Sequence, residues 1–201
     1  MNSNRRRTGS YQRETKETNV SVEVVLDGKG RYKVSTGVAM LDHLLEEWAL
    51  HGRFDLNATA TAYKDPDRHH LIEDIAICLG RALDNALEDR NGIKRMGHAI
   101  IPMDEALALV AVDISGRGYA VTDLPFSSDS IGDLPSQLVS HFLETLAREA
   151  KLNLHASLMK GDNDHHKAEA LFKALGRALD EASNYDDRLE GETPSSKGTI
   201  G

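Results

Sequence analysis

His69-His70-Leu71-Ile72-Glu73 and His165-His166-Lys167-Ala168-Glu169 are one unusual pattern, His-His-x-x-Glu, written twice in a single chain. Twelve residues after the leading histidine of each copy stands an arginine, Arg81 or Arg177, inside Leu79-Gly80-Arg81-Ala82-Leu83 and Leu175-Gly176-Arg177-Ala178-Leu179. Upstream, Asp42-His43-Leu44-Leu45-Glu46 is echoed by Ser140-His141-Phe142-Leu143-Glu144, 26 and 24 residues ahead of the paired histidines. Three stations matching in the same order point to an internal duplication. What the copies share is imidazole and carboxylate, the ligand types of a transition metal.

A duplication divides the 201 residues into two similar halves sharing a core. Hydrophobic residues make up 40% and charged residues 28%, the balance of a soluble globular protein. The net charge of −8 argues against a nucleic-acid surface, which needs a basic stripe. The one basic run, Arg5-Arg6-Arg7, lies in a polar N-terminal stretch and reads as part of a disordered end. The single cysteine, Cys78, excludes an internal disulfide framework and suits a reducing compartment. No apolar run approaches the ~20 residues of a membrane span, and no signal-peptide core opens the chain. The expectation is a cytoplasmic protein with no membrane contact.

Periodicity outlines the elements. Asn19 to Asp27 alternates through Val20, Val22 and Val24, and Asp27-Gly28-Lys29-Gly30 then turns into Arg31 to Ser35, a hairpin signal. Met40 to Leu50 has helical spacing and ends at His51-Gly52, read as a C-cap. Phe54 to Ala62 alternates as a strand, and a long helix follows the first histidine pair. After the join at Asn91-Gly92, strands are expected over His98 to Ile101, Ala106 to Ile114, Tyr119 to Leu124 and Leu152 to Leu158. Helices are expected over Leu134 to Glu149 and Lys167 to Ala182. The fold class predicted is α+β, with two halves that each set two helices on one face of a sheet. Residues 1–12 are expected as a disordered tail, 13–92 and 93–186 as the repeats, and 187–201 as a flexible end.

Helix geometry constrains how the ligands divide. Adjacent side chains point ~100° apart, so His69 and His70 cannot both serve one ion, whereas residues at i and i+4 share a face. His69 with Glu73, and His165 with Glu169, each make half a site. His43 and His141 bring the set to six imidazoles and two carboxylates, and His70 and His166 are left to cross over. Two ions result, one bound by His43, His70, His165 and Glu169, the other by His69, Glu73, His141 and His166. A lone histidine is ordinarily a surface or core residue; six in a duplicated pattern are not. His51, His98 and His155 stay unassigned. Among the cations, Arg95, Arg117, Lys173 and Lys197 are each unremarkable alone, and Pro194-Ser195-Ser196-Lys197-Gly198 offers hydroxyls, N–H groups and an ammonium of the kind that holds phosphate. No nucleotide-binding glycine motif is present.

The motifs together resemble the imidazoleglycerol-phosphate dehydratase family. The resemblance is carried by Leu41-Asp42-His43, His51-Gly52-Arg53-Phe54-Asp55-Leu56, both His-His-x-x-Glu segments, Pro102-Met103-Asp104-Glu105-Ala106-Leu107, Asp113-Ile114-Ser115-Gly116-Arg117 and Pro194 to Gly198, and it runs in order from about Arg13 to the C-terminus. It implies a duplicated fold like the second domain of ribosomal protein S5. The implied reaction is dehydration of D-erythro-1-(imidazol-4-yl)glycerol 3-phosphate to 3-(imidazol-4-yl)-2-oxopropyl phosphate in histidine biosynthesis. Two Mn²⁺ per active site and a homo-oligomer of 24 subunits with sites at subunit contacts are implied as well. Glu17 matches the family's catalytic, substrate-contacting carboxylate; Arg95, Arg117, Lys173, Ser195 and Lys197 match its phosphate-binding positions. The chain departs from the family where Glu47 replaces a frequent Gln, Ala62-Tyr63 a frequent Gly-Asp, and Gly118 a frequent Pro. The chemistry suits metals: no carbonyl flanks the C–H to be broken, so simple enolate elimination is closed; with the ring nitrogens on the metals an imidazolate can expel the hydroxyl, and a carboxylate is needed to move the carbon-bound proton. The competing readings are a metal-storage protein, which needs no phosphate-binding cations, and a dinuclear metallophosphatase, which more usually uses Asp-rich bridging ligands.

Overall fold

A computed structural model describes residues 6–200. Each half runs strand, strand, strand, helix, strand, helix. The first comprises β1 (Thr8–Glu14), β2 (Thr18–Val25), β3 (Tyr32–Ser35), α1 (Ala39–Gly52), β4 (Asp55–Ala62) and α2 (His69–Leu87). The second comprises β5 (Met96–Met103), β6 (Ala106–Asp113), β7 (Tyr119–Asp123), α3 (Gln137–Glu149), β10 (Asn153–Lys160) and α4 (Asp164–Ser183). The small hairpin of β8 (Ser130–Ile131) and β9 (Leu134–Pro135) is inserted before α3. The sheet orders match, β1-β2-β4-β3 and β5-β6-β10-β7, with the last pair parallel in each.

That order corrects the hairpin reading. β2 and β3 are not partners; β4 lies between them, antiparallel to β2 and parallel to β3. Parallel neighbours need a crossover, and α1 supplies it. The N-terminal expectation also fails over residues 8–12, where β1 pairs with β2 from Thr8↔Val25 to Glu14↔Asn19. Arg7 is buried, its guanidinium held by Asp27 and by the Ser183 carbonyl at 2.6 Å, and Arg6 reaches Asp55. Two of the three arginines in the basic run are therefore structural; residues 1–5, Arg5 included, and Gly201 lie outside the described residues. Leu134 and Pro135 belong to β9, so α3 starts later than the periodicity suggests. Gly52 is still helical, and Arg53 takes the left-handed cap at φ 58°. The C-terminal stretch expected as a flexible end returns to the join: Gly92 N–H donates to the Glu192 carbonyl at 2.8 Å and Thr193 Oγ1 meets Asn91 Oδ1 at 2.6 Å.

Alternation buries Val20, Val22, Val24, Leu56 and Ala58 from one sheet and Ala108, Val110, Val112, Leu154 and Ala156 from the other. These faces close on the helices, and the halves meet helix to helix, α1 on α4 and α2 on α3, in one continuous core. The repeated Leu-Gly-Arg segments make this contact possible. A Cβ on Gly176 would stand 2.5 Å from the Trp48 carbonyl oxygen of α1, and one on Gly80 would stand 3.0 Å from the Leu146 carbonyl oxygen of α3. Only glycine allows helix backbones this close. Packing α1 on α4 and α2 on α3 is also what brings histidines from different halves together.

Candidate metal centre

The paired histidines open helices whose first turns are held by side chains. Asn163 caps α4, its Oδ1 accepting from His165 N–H at 2.9 Å and His166 N–H at 3.4 Å. At α2, Asp67 accepts from His69 N–H at 3.1 Å and Asp65 from Leu71 N–H at 2.9 Å. Asp133, in the inserted hairpin, accepts from Ala39 and Met40 N–H at the start of α1 and from Arg68 just ahead of His69, which ties the two halves together beside the ligands.

Two groups converge. His43 of α1 meets His165 and Glu169 of α4; His69 and Glu73 of α2 meet His141 of α3, with the ligand atoms in each group within 4.8 Å of one another. In the first, Glu169 Oε2 lies 3.3 Å from His165 Nε2 and 3.5 Å from His43 Nε2. In the second, the His69 and His141 rings are 4.6 Å apart and His141 Nε2 is 3.9 Å from Glu73 Oε1. His141 Nε2 is buried with no hydrogen-bond partner among the described residues. Buried polar atoms are nearly always satisfied, so a lone nitrogen between an imidazole and a carboxylate is a place for a cation. The donor set, nitrogen with one carboxylate, suits Mn²⁺, Fe²⁺ or Zn²⁺.

His70 and His166 stand outside both groups. The His69 and His70 rings lie edge to face, their centroids 5.8 Å apart, and the ~100° helical step sends the two side chains in different directions. His70 Nδ1 contacts Glu17 Oε2 at 2.9 Å, and His166 Nδ1 contacts Glu105 Oε2 at 2.8 Å. The His166 hydrogen bond, seconded by the backbone N–H of Asn163 and, more weakly, of Asp162, holds the Glu105 carboxyl down at about 2, and Glu105 in turn raises the His166 pKa. Burial would raise the pKa of Glu169, but Lys173 and His43 outweigh it and keep the carboxylate below its ordinary range.

The expected phosphate residues divide. Arg95, Arg117, Ser195 and Lys197 line one pocket of about 180 Å³ with Ser115 and Ser196. Arg95 is aimed by Asp113, at 2.7 and 3.0 Å, and donates to the Pro194 carbonyl at 2.9 Å, which fixes the C-terminal segment against the pocket. Lys173 is not with them: its ammonium bonds Glu169 and lies 3.4 Å from Glu47, which also meets His51 at 3.2 Å. His98 and His155 sit on the open face of the second sheet beside a depression of about 400 Å³ that contains none of the ligand groups. Glu105 and Asp113 stand inside sequence motifs that gave neither a role, and Asp133 escaped the sequence reading; the duplication itself points to Glu105, which immediately precedes β6 as Glu17 immediately precedes β2.

Fold and site together define a duplicated α+β protein with two His/Glu groups able to hold a metal ion and a separate cationic pocket. Residues 36–179 match the family model for imidazoleglycerol-phosphate dehydratase. Dehydratases of that name from Dehalococcoides mccartyi and Methanothermobacter thermautotrophicus are 54% and 51% identical, covering 97% and 94% of this chain and 98% and 95% of their own. The crystal structure of the Pyrococcus furiosus enzyme superposes with a TM-score of 0.81 at 38% identity, over 94% of this chain and 100% of that one. The Staphylococcus aureus enzyme gives 0.78 at 34%, over 89% and 99%. The chain belongs to the imidazoleglycerol-phosphate dehydratase family of hydro-lyases. No helix among the described residues is long and apolar enough to cross a membrane.

Proposed function

We propose that this chain dehydrates D-erythro-1-(imidazol-4-yl)glycerol 3-phosphate to 3-(imidazol-4-yl)-2-oxopropyl phosphate and water, in the cytoplasm and as a step of histidine biosynthesis. The observation that carries the reading is the pair of three-ligand groups, His43/His165/Glu169 and His69/Glu73/His141, in a member of this family. Two Mn²⁺ are the proposed occupants, and when bound they supply the Lewis acidity that favours loss of the substrate's ring proton.

The chain's own residues divide the remaining work. Arg95, Arg117, Ser195 and Lys197 take the phosphate dianion through charge-assisted hydrogen bonds, with Arg95 aimed by Asp113. Glu17 takes the proton from the hydroxyl-bearing carbon next to the one that loses its hydroxyl, its carboxylate oriented by His70. Each group has three candidate ligands from its own chain, while His70, half-exposed, and His166 lie outside those groups. The reading is that each completes a site formed with another copy, in an assembly of 24 subunits. Lys173, remote from the phosphate pocket of its own chain, reaches substrate in the same arrangement. The cationic pocket separates this reading from metal storage, and ligands limited to His and Glu separate it from an Asp-rich metallophosphatase.

The test is to incubate the metal-free chain with substrate, with and without Mn²⁺, and assay the ketone product. Mn²⁺-dependent formation is expected. No product with two bound Mn²⁺ per chain refutes the activity, and phosphate release instead selects the phosphatase.

A further inference from the structure

The carboxylates on the Nδ1 atoms of the second histidines, His70 and His166, are counterparts in the two halves. Glu17 immediately precedes β2 and contacts His70 Nδ1 at 2.9 Å; Glu105 immediately precedes β6 and contacts His166 Nδ1 at 2.8 Å. An ionised carboxylate only accepts, so Nδ1 carries a proton in both rings, and in the neutral imidazole Nε2 presents its lone pair. Glu105 does more than its counterpart. Its second oxygen accepts N–H from Asn163 at 2.9 Å and from Asp162 at 3.3 Å, and Asn163 is the residue that caps α4 over His165 and His166.

We propose that Glu105 is a positioning residue of the metal centre: it fixes His166 in the tautomer and orientation that offers Nε2 to a cation, and locks that orientation to the α4 cap. The proposal rests on the metal-binding reading of the two groups. His166 is then set before any cation arrives, the role a carboxylate plays behind a metal-bound imidazole. Nothing else among the described residues holds its Nδ1; Asp104 lies on the other nitrogen, at 3.8 Å from Nε2.

Two substitutions test it, Glu105→Ala and Glu105→Gln, made in the full chain. Gln keeps the shape, but its amide has one acceptor oxygen. If that oxygen stays with the Asn163 and Asp162 N–H groups, the NH₂ faces His166 Nδ1 and selects the wrong tautomer. Mn²⁺ is titrated into metal-free protein and free Mn²⁺ is followed by electron paramagnetic resonance, with melting measured in parallel. The expected result is two Mn²⁺ per wild-type chain and, in both variants, roughly 10–100-fold weaker binding at one of the two, with Glu105→Gln melting near wild type. Two sites of wild-type affinity in both variants overturn the proposal and leave the dehydratase reading intact. Equal weakening at both sites assigns Glu105 to the fold alone and also overturns it. A wild-type chain that binds no Mn²⁺ removes the metal reading and this proposal together.

Discussion

Gly176→Ala is the sharpest test of how the fold carries the site. The added methyl would stand 2.5 Å from the Trp48 carbonyl oxygen and 2.9 Å from the Gly52 nitrogen, both backbone atoms of α1. Rotamer change cannot relieve such contacts, so α1 and α4 must separate. Alanine is worth about 1 kcal/mol over glycine inside a helix, while overpacking costs about 1–3 kcal/mol. With backbone on the receiving side the upper part of that range applies, leaving a net loss of about 1–2 kcal/mol. In a chain of this size that lowers Tm by about 2–8 °C. Gly80→Ala meets its nearest backbone at 3.0 Å and should lose less.

The separation has a second consequence, because α1 carries His43 and α4 carries His165 and Glu169. Metal ligation tolerates about ±0.2 Å, so Gly176→Ala should weaken Mn²⁺ at this group and spare His69, Glu73 and His141. Chemical denaturation by circular dichroism belongs on metal-free protein, since a bound ion stabilises by mass action; Mn²⁺ titration then gives the site effect. A Gly176→Ala chain as stable as wild type, with two Mn²⁺ of unchanged affinity, refutes the claim that this glycine sets the α1–α4 distance.

Glu17→Gln should lower turnover by roughly 10²–10⁴-fold with two Mn²⁺ still bound by elemental analysis; near-normal turnover assigns the proton to another group. Chelation of the purified protein should shift light scattering to smaller species and added Mn²⁺ should restore the large one, because ligands shared between copies couple binding to association; an unchanged size refutes that coupling. Burial opposes the charge on Asp27, but hydrogen bonds from Arg7 overcome it and depress its pKa. A depressed carboxylate contributes stability above its unfolded pKa of about 3.9 and loses it as pH falls through the folded value. Asp27→Asn should therefore be less stable than wild type at pH 7, and the gap in urea midpoint should narrow below about pH 4; a gap independent of pH contradicts the pairing.

Much of this architecture was legible because the duplication repeats three kinds of signal at once. The apolar stripes of α1, α2 and α4 and the alternation of β2, β4, β6 and β10 each have a buried face, so their patterns survive in the sequence. β1 does not: only Gly9 is buried in it, and a Cβ there would meet the Ala86 nitrogen at 2.5 Å, so close packing on α2 asks for a missing side chain rather than an apolar one. Its burial pattern therefore resembles a polar tail. Strand order was hidden for another reason. The Asp27 to Gly30 turn has the composition of a hairpin, but β4, later in the chain, takes the place beside β2, a choice made by long-range pairing rather than by the turn.

The site was legible at its ligands and illegible at what aims them. His-His-x-x-Glu is rare enough to stand out, and its helical geometry separates His69 from His70 before any coordinates are known. Asp113 behind Arg95, Glu105 behind His166 and Asp133 across the starts of α1 and α2 are single acidic residues in a chain with 32 of them. Nothing local shows which group each one aims, since each acts through a partner distant in sequence: 18, 61 and 94 residues away for the contacts with Arg95, His166 and Ala39. The same distinction explains the repeated arginine, one of the stations that mark the duplication. Arg81 bonds Glu149 and Tyr11 while Arg177 lines an open surface depression with Arg53 and Lys94, so the copies do not share a chemical role. What the two segments share is the glycine just before the arginine, and its function is to let helices of opposite halves approach. The duplicated tail of the motif is thus a packing device, and it brings His43 to His165 and His69 to His141 across the join between the halves.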